Sequence, residues 1–237
     1  MKTVAKAIYR QVYFLRDYLN AKLFFNAKSY KHVIKAFNQL YFNSKVADNN
    51  TFWFGRPVLK TPFDLWVFQE IIYQVKPDVI VETGTHKGGS GLFFASICDL
   101  LNKGRIISVD IKNWGELPRH KRITYLMGSA ISPMIVEKIE KMIKPGEKVI
   151  VFLDDDHTAA HVLQELKTYG KFVTKGSYMI CEDTIIDGKS VKPEYGDPGP
   201  MDAVNKFLKG SNEFIIDKSR EKFFFSFNYN GYLKKVK

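Results

Sequence analysis

Carboxylates follow two β-branched stretches in the second half of the chain. The segment Asp154–His157 follows residues 148–153, and the pair Glu182-Asp183 follows residues 177–181. If these stretches are neighbouring parallel strands, their carboxylates converge and repel one another unless a cation lies between them. Mg²⁺ suits such a group, because it binds through a few carboxylates and keeps waters or substrate oxygens in its shell. The sequence therefore predicts a magnesium site made by Asp154, Asp156, Glu182 and Asp183.

The alternation of side chains along a strand puts Asp154 and Asp156 on one face and turns Asp155 away. His157 follows directly and can take a proton from a hydroxyl that the metal has acidified, which makes it the predicted catalytic residue. A helix-capping role for His157 and a simple solvated acidic loop stay open as alternatives. Asp154 and His157 with His161, one helical turn further on, also imitate a two-histidine, one-carboxylate iron site.

A glycine-rich segment, Glu82–Ser90, follows the β-branched residues 79–81. Gly84 and Gly88 favour a turn beside a ligand at the start of a helix. The dinucleotide pattern G-x-G-x-x-G is absent because residue 86 is His. A carboxylate at Glu82 suits the ammonium of an amino-acid cofactor better than a pyrophosphate. The segment therefore predicts S-adenosylmethionine, with contacts from Glu82, Thr83, Gly84, Thr85, His86, Gly88 and Ser90.

The ends of the next two predicted strands extend this cofactor site. Asp110 ends the second strand and can accept both ribose hydroxyls, with Ile111 beside it. Gly128-Ser129 follows the third strand, where an adenine ring would lie. Ligands of open α/β sheets bind at such carboxyl ends. Asp110, Ile111, Gly128, Ser129 and Asp154 complete the predicted cofactor-binding set.

The elements that must position these residues alternate between strands and helices. Strands are expected at 79–81, 105–110, 122–127, 148–154 and 177–183, and helices at 63–75, 88–101, 133–143, 158–169 and 200–209. This alternation demands a parallel sheet covered on both faces. Residues 214–216 and 223–229 are then expected as strands with no helix between them, and Asn230-Gly231 as a turn into Tyr232-Leu233. The predicted fold is α/β and Rossmann-like, with a mostly parallel seven-stranded sheet and a C-terminal antiparallel hairpin, as in class I methyltransferases.

The first 50 residues differ from the rest. Much of the net charge of +11 lies there, interleaved with aromatic residues at helical spacing. We expect residues 1–50 to form a basic, aromatic helical extension and residues 51–237 the cofactor-binding domain. The extension is either a helical cap with a solvated basic face or, through residues 1–45, a contact for a membrane surface or lipid-linked glycan. No nucleic-acid motif accompanies the charge, so no nucleic-acid partner is expected. The aromatic segment is also a candidate interface for a homo-oligomer.

Other features bound the class of protein. The 237 residues suffice for one large domain, and no apolar run reaches the roughly 18 residues of a membrane span. Cys98 and Cys181 lie in apolar stretches and are expected as buried free thiols in a reducing compartment. We expect a cytoplasmic protein, peripheral at most to the inner face of the membrane.

Several motifs together resemble the cephalosporin hydroxylase family over about residues 50–235. They are Trp53-Phe-Gly, Pro62-Phe-Asp-Leu, Glu82-Thr-Gly-Thr with Gly88-Gly-Ser, Leu153-Asp-x-Asp-His, His161-Val-Leu-x-Glu-Leu and Glu182-Asp-Thr. That family is similar to sugar O-methyltransferases acting on rhamnose-type and macrolide sugars. The resemblance implies a class I fold, S-adenosylmethionine, Mg²⁺ near Asp154 and Glu182-Asp183, and a catalytic histidine at His157. Asp155 departs from the family, which commonly has a small residue such as serine there.

The expected function is Mg²⁺- and S-adenosylmethionine-dependent O-methylation of a hydroxyl on a sugar or glycoconjugate, such as a polysaccharide, glycolipid or natural-product sugar. Two alternatives remain. One is an iron-dependent hydroxylase of a small natural product, using Asp154, His157 and His161. The other is a non-catalytic cofactor-binding subunit recruited to a membrane assembly by its N-terminal helices.

Overall fold

The computed structural model of the chain describes residues 9, 11–16, 29–44, 46, 50–186 and 198–237. The helices are α1 (Ser29–Asn43), α2 (Pro62–Val75), α3 (Gly89–Leu100), α4 (Pro133–Met142), α5 (Ala159–Tyr169) and α6 (Pro200–Gly210), with a short 3₁₀ turn at Lys218–Glu221. The strands are β1 (Phe52–Trp53), β2 (Arg56–Pro57), β3 (Val79–Thr83), β4 (Arg105–Asp110), β5 (Ile123–Met127), β6 (Val149–Leu153), β7 (Tyr178–Cys181), β8 (Phe214–Ile216) and β9 (Tyr232–Lys235). Parts of the predicted N-terminal helices, and residues 187–197, lie outside the described residues.

The main sheet has seven strands in the order β5-β4-β3-β6-β7-β9-β8. The strands from β5 to β7 are parallel, and β9 runs antiparallel between β7 and β8. Every residue of β3, β6 and β7 is buried, as expected when helices cover both faces of a parallel sheet. The predicted class I fold is confirmed, and the strand order reverses between β3 and β6, which is where ligands bind in such sheets.

Two hydrophobic cores lie on opposite faces of this sheet. One contains Leu166 of α5 and Val204 of α6, and the other contains Phe68 of α2 and Phe94 of α3. The helices packed in these two cores fix the position of the sheet. The carboxyl ends of β3, β4, β6 and β7 lie together at one of its edges. Cys98 and Cys181 are buried free thiols within these cores, as predicted.

The C-terminal hairpin differs from the sequence-based prediction. Residues 223–229 were expected as a strand, but they are irregular, and β9 pairs with β8 instead. Phe224 and Asn230 have positive φ, which breaks an extended conformation. The N–H of Phe227 donates to the carboxylate of Asp64 rather than to a strand. This segment therefore belongs to the loops that border the site.

The helix α1 packs its aromatic side chains onto the domain. The Phe37 ring lies 4.1 Å from that of Phe225, and Tyr41 and Phe42 lie against Phe227. The basic residues Lys31 and Lys35 of the same helix are exposed. In the described part of the extension, aromatic side chains are therefore packed on the domain while Lys31 and Lys35 face solvent; the role of the extension stays a prediction. Among the described residues, no helix is both long and apolar enough to cross a membrane.

Asp64 joins three parts of the chain through a side chain that is 2% exposed. Its carboxylate accepts hydrogen bonds from Thr61 Oγ1, Ser226 Oγ, the N–H of Phe227 and Tyr232 Oη. Burial raises its pKa despite these donors. We expect Asp64→Ala to lower the free energy of unfolding by about 3 kcal/mol, because buried donors lose their acceptor. Urea unfolding measures this. The exposed Glu137→Ala on α4 should change stability by less than about 0.5 kcal/mol, and an equal effect of both changes would contradict the assignment.

Candidate active site

Three side chains converge at the carboxyl ends of β6 and β7. These strands are parallel neighbours, and Leu153 pairs with Cys181 at their last residues. The next residues therefore bring Asp154, His157 and Asp183 together, with one potential ligand atom of each within 4.8 Å of the others. His157 Nε2 lies 2.9 Å from Asp183 Oδ2 and 3.9 Å from Asp154 Oδ1. The predicted convergence of the two acidic strand ends is thus what the structure contains.

Lys60, in the loop before α2, forms ion pairs with two carboxylates at these strand ends. Its ammonium lies 2.7 Å from Asp154 Oδ2 and 2.7 Å from Glu182 Oε2, and the side chain is 4% exposed. The other oxygen of Glu182, Oε1, is buried and has no hydrogen-bond partner. Glu182 therefore keeps one carboxylate oxygen available for a cation or a proton.

The electrostatics of the group reflect crowded, buried carboxylates. Burial, then the charge of Asp154, raises the pKa of Asp183 to about 7. Burial also raises the pKa of Glu182 well above its usual range, against the opposing effect of Lys60. Burial alone would lower the pKa of Lys60, but the charges of Asp154, Glu182 and Glu82 outweigh it and raise that pKa. When all three are ionised, Asp154, Glu182 and Asp183 carry more negative charge than the single ammonium of Lys60 balances, so a divalent cation would stabilise their ionised forms.

The next two residues in the sequence, Asp155 and Asp156, contact other residues than those of this group. Asp155 Oδ2 lies 3.1 Å from His161 Nε2, whereas Asp156 is exposed and accepts from the N–H of Thr158. The expected pairing of Asp154 and Asp156 on one face is therefore not found, because β6 ends at Leu153 and strand alternation does not extend into the loop. Among the described residues, Asp156 lies outside the group formed by Asp154 and Asp183.

The glycine-rich loop lies beside this group. Gly84 has φ of +86°, and a Cβ at this position would stand 1.9 Å from the carbonyl oxygen of Asp154. Gly88, with φ of +75°, precedes α3, and a Cβ there would contact Pro118 at 2.6 Å. A side chain at Gly84 would therefore push the loop away from the end of β6. The backbone of the loop at Gly84 therefore packs directly against the backbone of Asp154 in the acidic group.

Several side chains predicted to bind the cofactor are directed into the protein. Glu82, Thr83 and Thr85 are at most 3% exposed. Glu82 Oε2 accepts from Ser108 Oγ at 2.6 Å, and its pKa is raised to about 7, chiefly by burial. Ser90 supplies a further hydrogen bond to Glu82. These residues fix the shape of the loop, and their direct contact with a cofactor stays a prediction.

Asp110 is connected to the loop across the ends of β3 and β4. Its carboxylate accepts from the N–H of His86 at 2.9 Å, from Trp114 Nε1 at 3.0 Å and from the N–H of Lys112 at 2.8 Å. The His86 ring packs edge-on against Trp114 with centroids 4.4 Å apart. Two carboxylate oxygens offer about four acceptor sites, so about one remains for a ribose hydroxyl, and Trp114 would have to move for a second.

The remaining predicted cofactor residues border the same edge. Gly128 follows β5, and its N–H donates to the carbonyl of Asp110. Ser129 is half-buried beside it, and Ile111 is 70% exposed. This edge is therefore open to solvent next to Asp110, as an adenosine site would have to be.

A cavity of about 720 Å³ adjoins the segment that follows the acidic group. Its wall includes Thr184 and Ile185, which directly follow Asp183. The N–H of Asp183 donates to Asn228 Oδ1, which ties this wall to the irregular segment before β9. The lining comes from four segments and comprises Lys31, Ile34, Lys35, Asn38, Gln39, Thr184, Ile185, Met201, Lys218, Glu221, Phe224, Tyr229 and Asn230. The cavity thus lies between α1 and the carboxyl end of β7.

Sequence reasoning missed two features of this site. Lys60 carries no motif, and its partners Asp154 and Glu182 are 94 and 122 residues away. The contribution of α1 to the cavity was also not predicted, because the charge and aromatic spacing of α1 do not indicate which loops this helix covers. A lysine directly before the Thr61-Pro62 helix start was the single available signal, and it does not distinguish a buried lysine from an exposed one.

Comparison with known proteins agrees with this geometry. The family described as Rhamnosyl O-methyltransferase/CmcI matches residues 45–236. A rhamnosyl O-methyltransferase of Mycobacterium leprae (strain TN) is 34% identical over 192 residues, which cover 78% of this chain and 83% of that protein. Among solved structures, CmcI with Mg and S-adenosylmethionine is 20% identical with a TM-score of 0.62, covering 80% of this chain and 78% of that chain.

A second structural neighbour contains a further bound molecule. MycE methyltransferase from the mycinamycin biosynthetic pathway, in complex with Mg, S-adenosylhomocysteine and mycinamycin VI, is 17% identical with a TM-score of 0.51. The alignment covers 84% of this chain and 54% of that chain. At these identities the solved structures establish the fold, and the family match and the mycobacterial relative establish the family. The chain belongs to the Rhamnosyl O-methyltransferase/CmcI family and is, like its named relatives, an O-methyltransferase.

Proposed function

We propose that this protein is a Mg²⁺- and S-adenosylmethionine-dependent enzyme that methylates a hydroxyl of a sugar or glycoconjugate. The observation that carries the proposal is the convergence of Asp154, His157 and Asp183 beside a glycine-rich loop at the strand-order switch. Support comes also from the rhamnosyl O-methyltransferase relative and from the Mg complexes of the structural neighbours.

The donor set fits magnesium. Asp154, Glu182 and Asp183 offer carboxylate oxygens, the ligand type that Mg²⁺ prefers. The buried Glu182 Oε1 has no hydrogen-bond partner, so one ligand atom is already free. Lys60 holds the opposite oxygens of Asp154 and Glu182, which orients both carboxylates.

The loop fits S-adenosylmethionine. Gly84 and Gly88, both with positive φ, form the turn between β3 and α3, and Asp110 stands at the end of β4, where a ribose would lie. When bound, S-adenosylmethionine supplies the methyl group and Mg²⁺ acidifies the acceptor hydroxyl. His157 receives the hydroxyl proton at an imidazole nitrogen, while Asp183, 2.9 Å from Nε2, holds the ring in place. Most of the acceleration would come from positioning the hydroxyl in line with the methyl group.

The alternative iron site finds no support in the geometry. Among the described residues, His157 groups with Asp154 and Asp183, whereas His161 groups with Asp155 and Glu165. Two histidines and Asp154 would be needed in one group. No observation favours the non-catalytic subunit either.

The cavity beside Thr184 and Ile185 is the proposed acceptor site. It begins where the acidic group ends, and its volume of about 720 Å³ is in the range of small-molecule sites. Asn38, Tyr229 and Asn230 offer polar groups suited to sugar hydroxyls. We propose that the sugar to be methylated enters here with its hydroxyl directed at Asp154 and Asp183.

Two lysines on one face of α1 extend this proposal to the carrier of the sugar. Lys31 and Lys35 are one helical turn apart and line the cavity, and both are exposed. Lys218, in contrast, is paired with Glu221. The ammonium groups of Lys31 and Lys35 would suit a phosphate that links the sugar to a lipid or nucleotide.

Charge reversal tests this role of α1. We expect Lys31→Glu with Lys35→Glu to raise KM about 10-fold for a sugar linked through phosphate, since two partly exposed ion pairs are lost. The kcat for a neutral glycoside should not change. Steady-state kinetics on both acceptors measure this, with Lys206→Glu and Lys209→Glu on α6 as the matched control. Equal KM changes for charged and neutral acceptors would refute a phosphate contact.

The activity itself is tested with purified protein and methyl-labelled S-adenosylmethionine. Rhamnosides, other deoxyhexosides and non-sugar catechols are offered in parallel, and the product is identified by mass spectrometry. We expect label on a sugar hydroxyl. Label on catechol alone, or oxygen consumption without label transfer, would overturn the proposal.

A further inference from the structure

A second group of potential metal ligands lies next to the proposed magnesium site but is formed by different residues. Asp155, in the loop after β6, and His161 and Glu165, one turn apart on α5, each place one donor atom within 4.8 Å of the others. His161 Nε2 is 3.1 Å from Asp155 Oδ2 and 4.0 Å from Glu165 Oε2. All three donor atoms therefore surround one point between the loop and the helix.

Glu165 is the independent sign that this point takes a ligand. Its side chain is fully buried, neither carboxylate oxygen makes a hydrogen bond of ordinary geometry, and the polar groups that face it belong to Thr83, Asp155 and His161. The flanking residues of α5, Val162 and Leu166, belong to the hydrophobic core. A carboxyl in such surroundings is either held neutral or stabilised by a bound cation, so the position suits a metal ion.

We infer that Asp155, His161 and Glu165 bind one Zn²⁺ ion, at a site separate from the magnesium group. One imidazole nitrogen with two carboxylate oxygens is a donor set that suits zinc, whereas Mg²⁺ prefers oxygen alone. Asp155 and His161 are 20% and 17% exposed, which leaves an approach for the ion and a fourth position for water. The ion would replace the hydrogen bond between Asp155 and His161 and bind the three side chains in their deprotonated forms.

A metal ion bound at this site would restrict the movement of the loop after β6. Asp155 follows Asp154 directly, and His157 lies two residues beyond, so an ion anchored to α5 would fix the loop that carries both. Asp155 is also the residue at which this chain departs from the serine common in the family it resembles. The site therefore follows from residues of this chain and does not depend on the proposed methyl transfer.

Metal content tests the inference. Untagged protein is incubated with equimolar Zn²⁺ in excess Mg²⁺, dialysed, and measured by inductively coupled plasma mass spectrometry, and Co²⁺ substitution is followed by visible absorption. We expect one zinc per chain in the wild type and none in Asp155→Ser or His161→Gln. His120→Gln, which alters a surface histidine paired with Asp99, should keep the zinc.

Melting temperature and circular dichroism complete the test. Zinc should raise the melting temperature of the wild type and of His120→Gln but not of Asp155→Ser, whose smaller side chain keeps the fold intact by circular dichroism. A wild type without stoichiometric zinc overturns the inference. Equal zinc retention in Asp155→Ser and His161→Gln overturns it as well.

Discussion

His157→Gln is expected to lower kcat for methyl transfer by about 100- to 10,000-fold, the usual contribution of a positioned general base. The imidazole lies between Asp154 and Asp183 at the carboxyl ends of β6 and β7, where the acceptor hydroxyl must be deprotonated. Glutamine keeps a hydrogen-bonding group for Asp183 but cannot accept and hold the proton. Single-turnover rates at saturating S-adenosylmethionine measure the chemical step directly.

The matched control is His120→Gln, because His120 also pairs with an aspartate, Asp99, but lies on the surface before β5. That variant should keep its rate. Calorimetric binding of S-adenosylhomocysteine should be unchanged in His157→Gln, which separates a lost base from a damaged cofactor site. A His157→Gln enzyme within tenfold of wild type would exclude His157 as the base.

Asp183→Asn and Asp154→Asn are expected to lower the rate by more than about 100-fold at ordinary Mg²⁺ concentrations. Each change removes a carboxylate of the proposed magnesium site, and polarisation by a metal contributes several kcal/mol. Rates measured against Mg²⁺ concentration should show a higher half-saturating concentration in both variants. Asp156→Asn should have a much smaller effect, because Asp156 is exposed and bonded to the N–H of Thr158.

Glu137→Gln, on the exposed face of α4, controls for the loss of a negative charge. It should leave both the rate and the Mg²⁺ dependence unchanged. If Asp183→Asn were as active as Glu137→Gln at limiting Mg²⁺, Asp183 would not be a ligand. If Asp156→Asn were as damaging as Asp154→Asn, the loop would rearrange when the ion binds.

The central sheet follows from the sequence because its signals are local. Continuous apolar, β-branched stretches such as Val79–Val81 and Val149–Leu153 are typical of strands buried on both faces, and Gly84 with Gly88 marks the turn between β3 and α3. Strand adjacency then places Asp154 near Asp183 without further information. That part of the site could be predicted in full.

The differences arise where tertiary contacts replace local patterns. Residues 223–229 alternate like a strand, but Asp64, more than 150 residues away, takes the N–H of Phe227. Asp156 was placed by strand alternation, which ceases at the last residue of β6. Lys60 becomes significant only when three distant carboxylates surround it. None of these contacts leaves a local signature.

The most direct measurement of the central claim is methyl transfer to a rhamnoside by chelator-treated enzyme, followed by titration with Mg²⁺. The arrangement of Asp154, Glu182 and Asp183 predicts that transfer stops after chelation and returns with Mg²⁺ in the wild type, but returns only at much higher Mg²⁺ in Asp183→Asn. Full transfer by the metal-free enzyme would contradict metal-assisted methylation at this site.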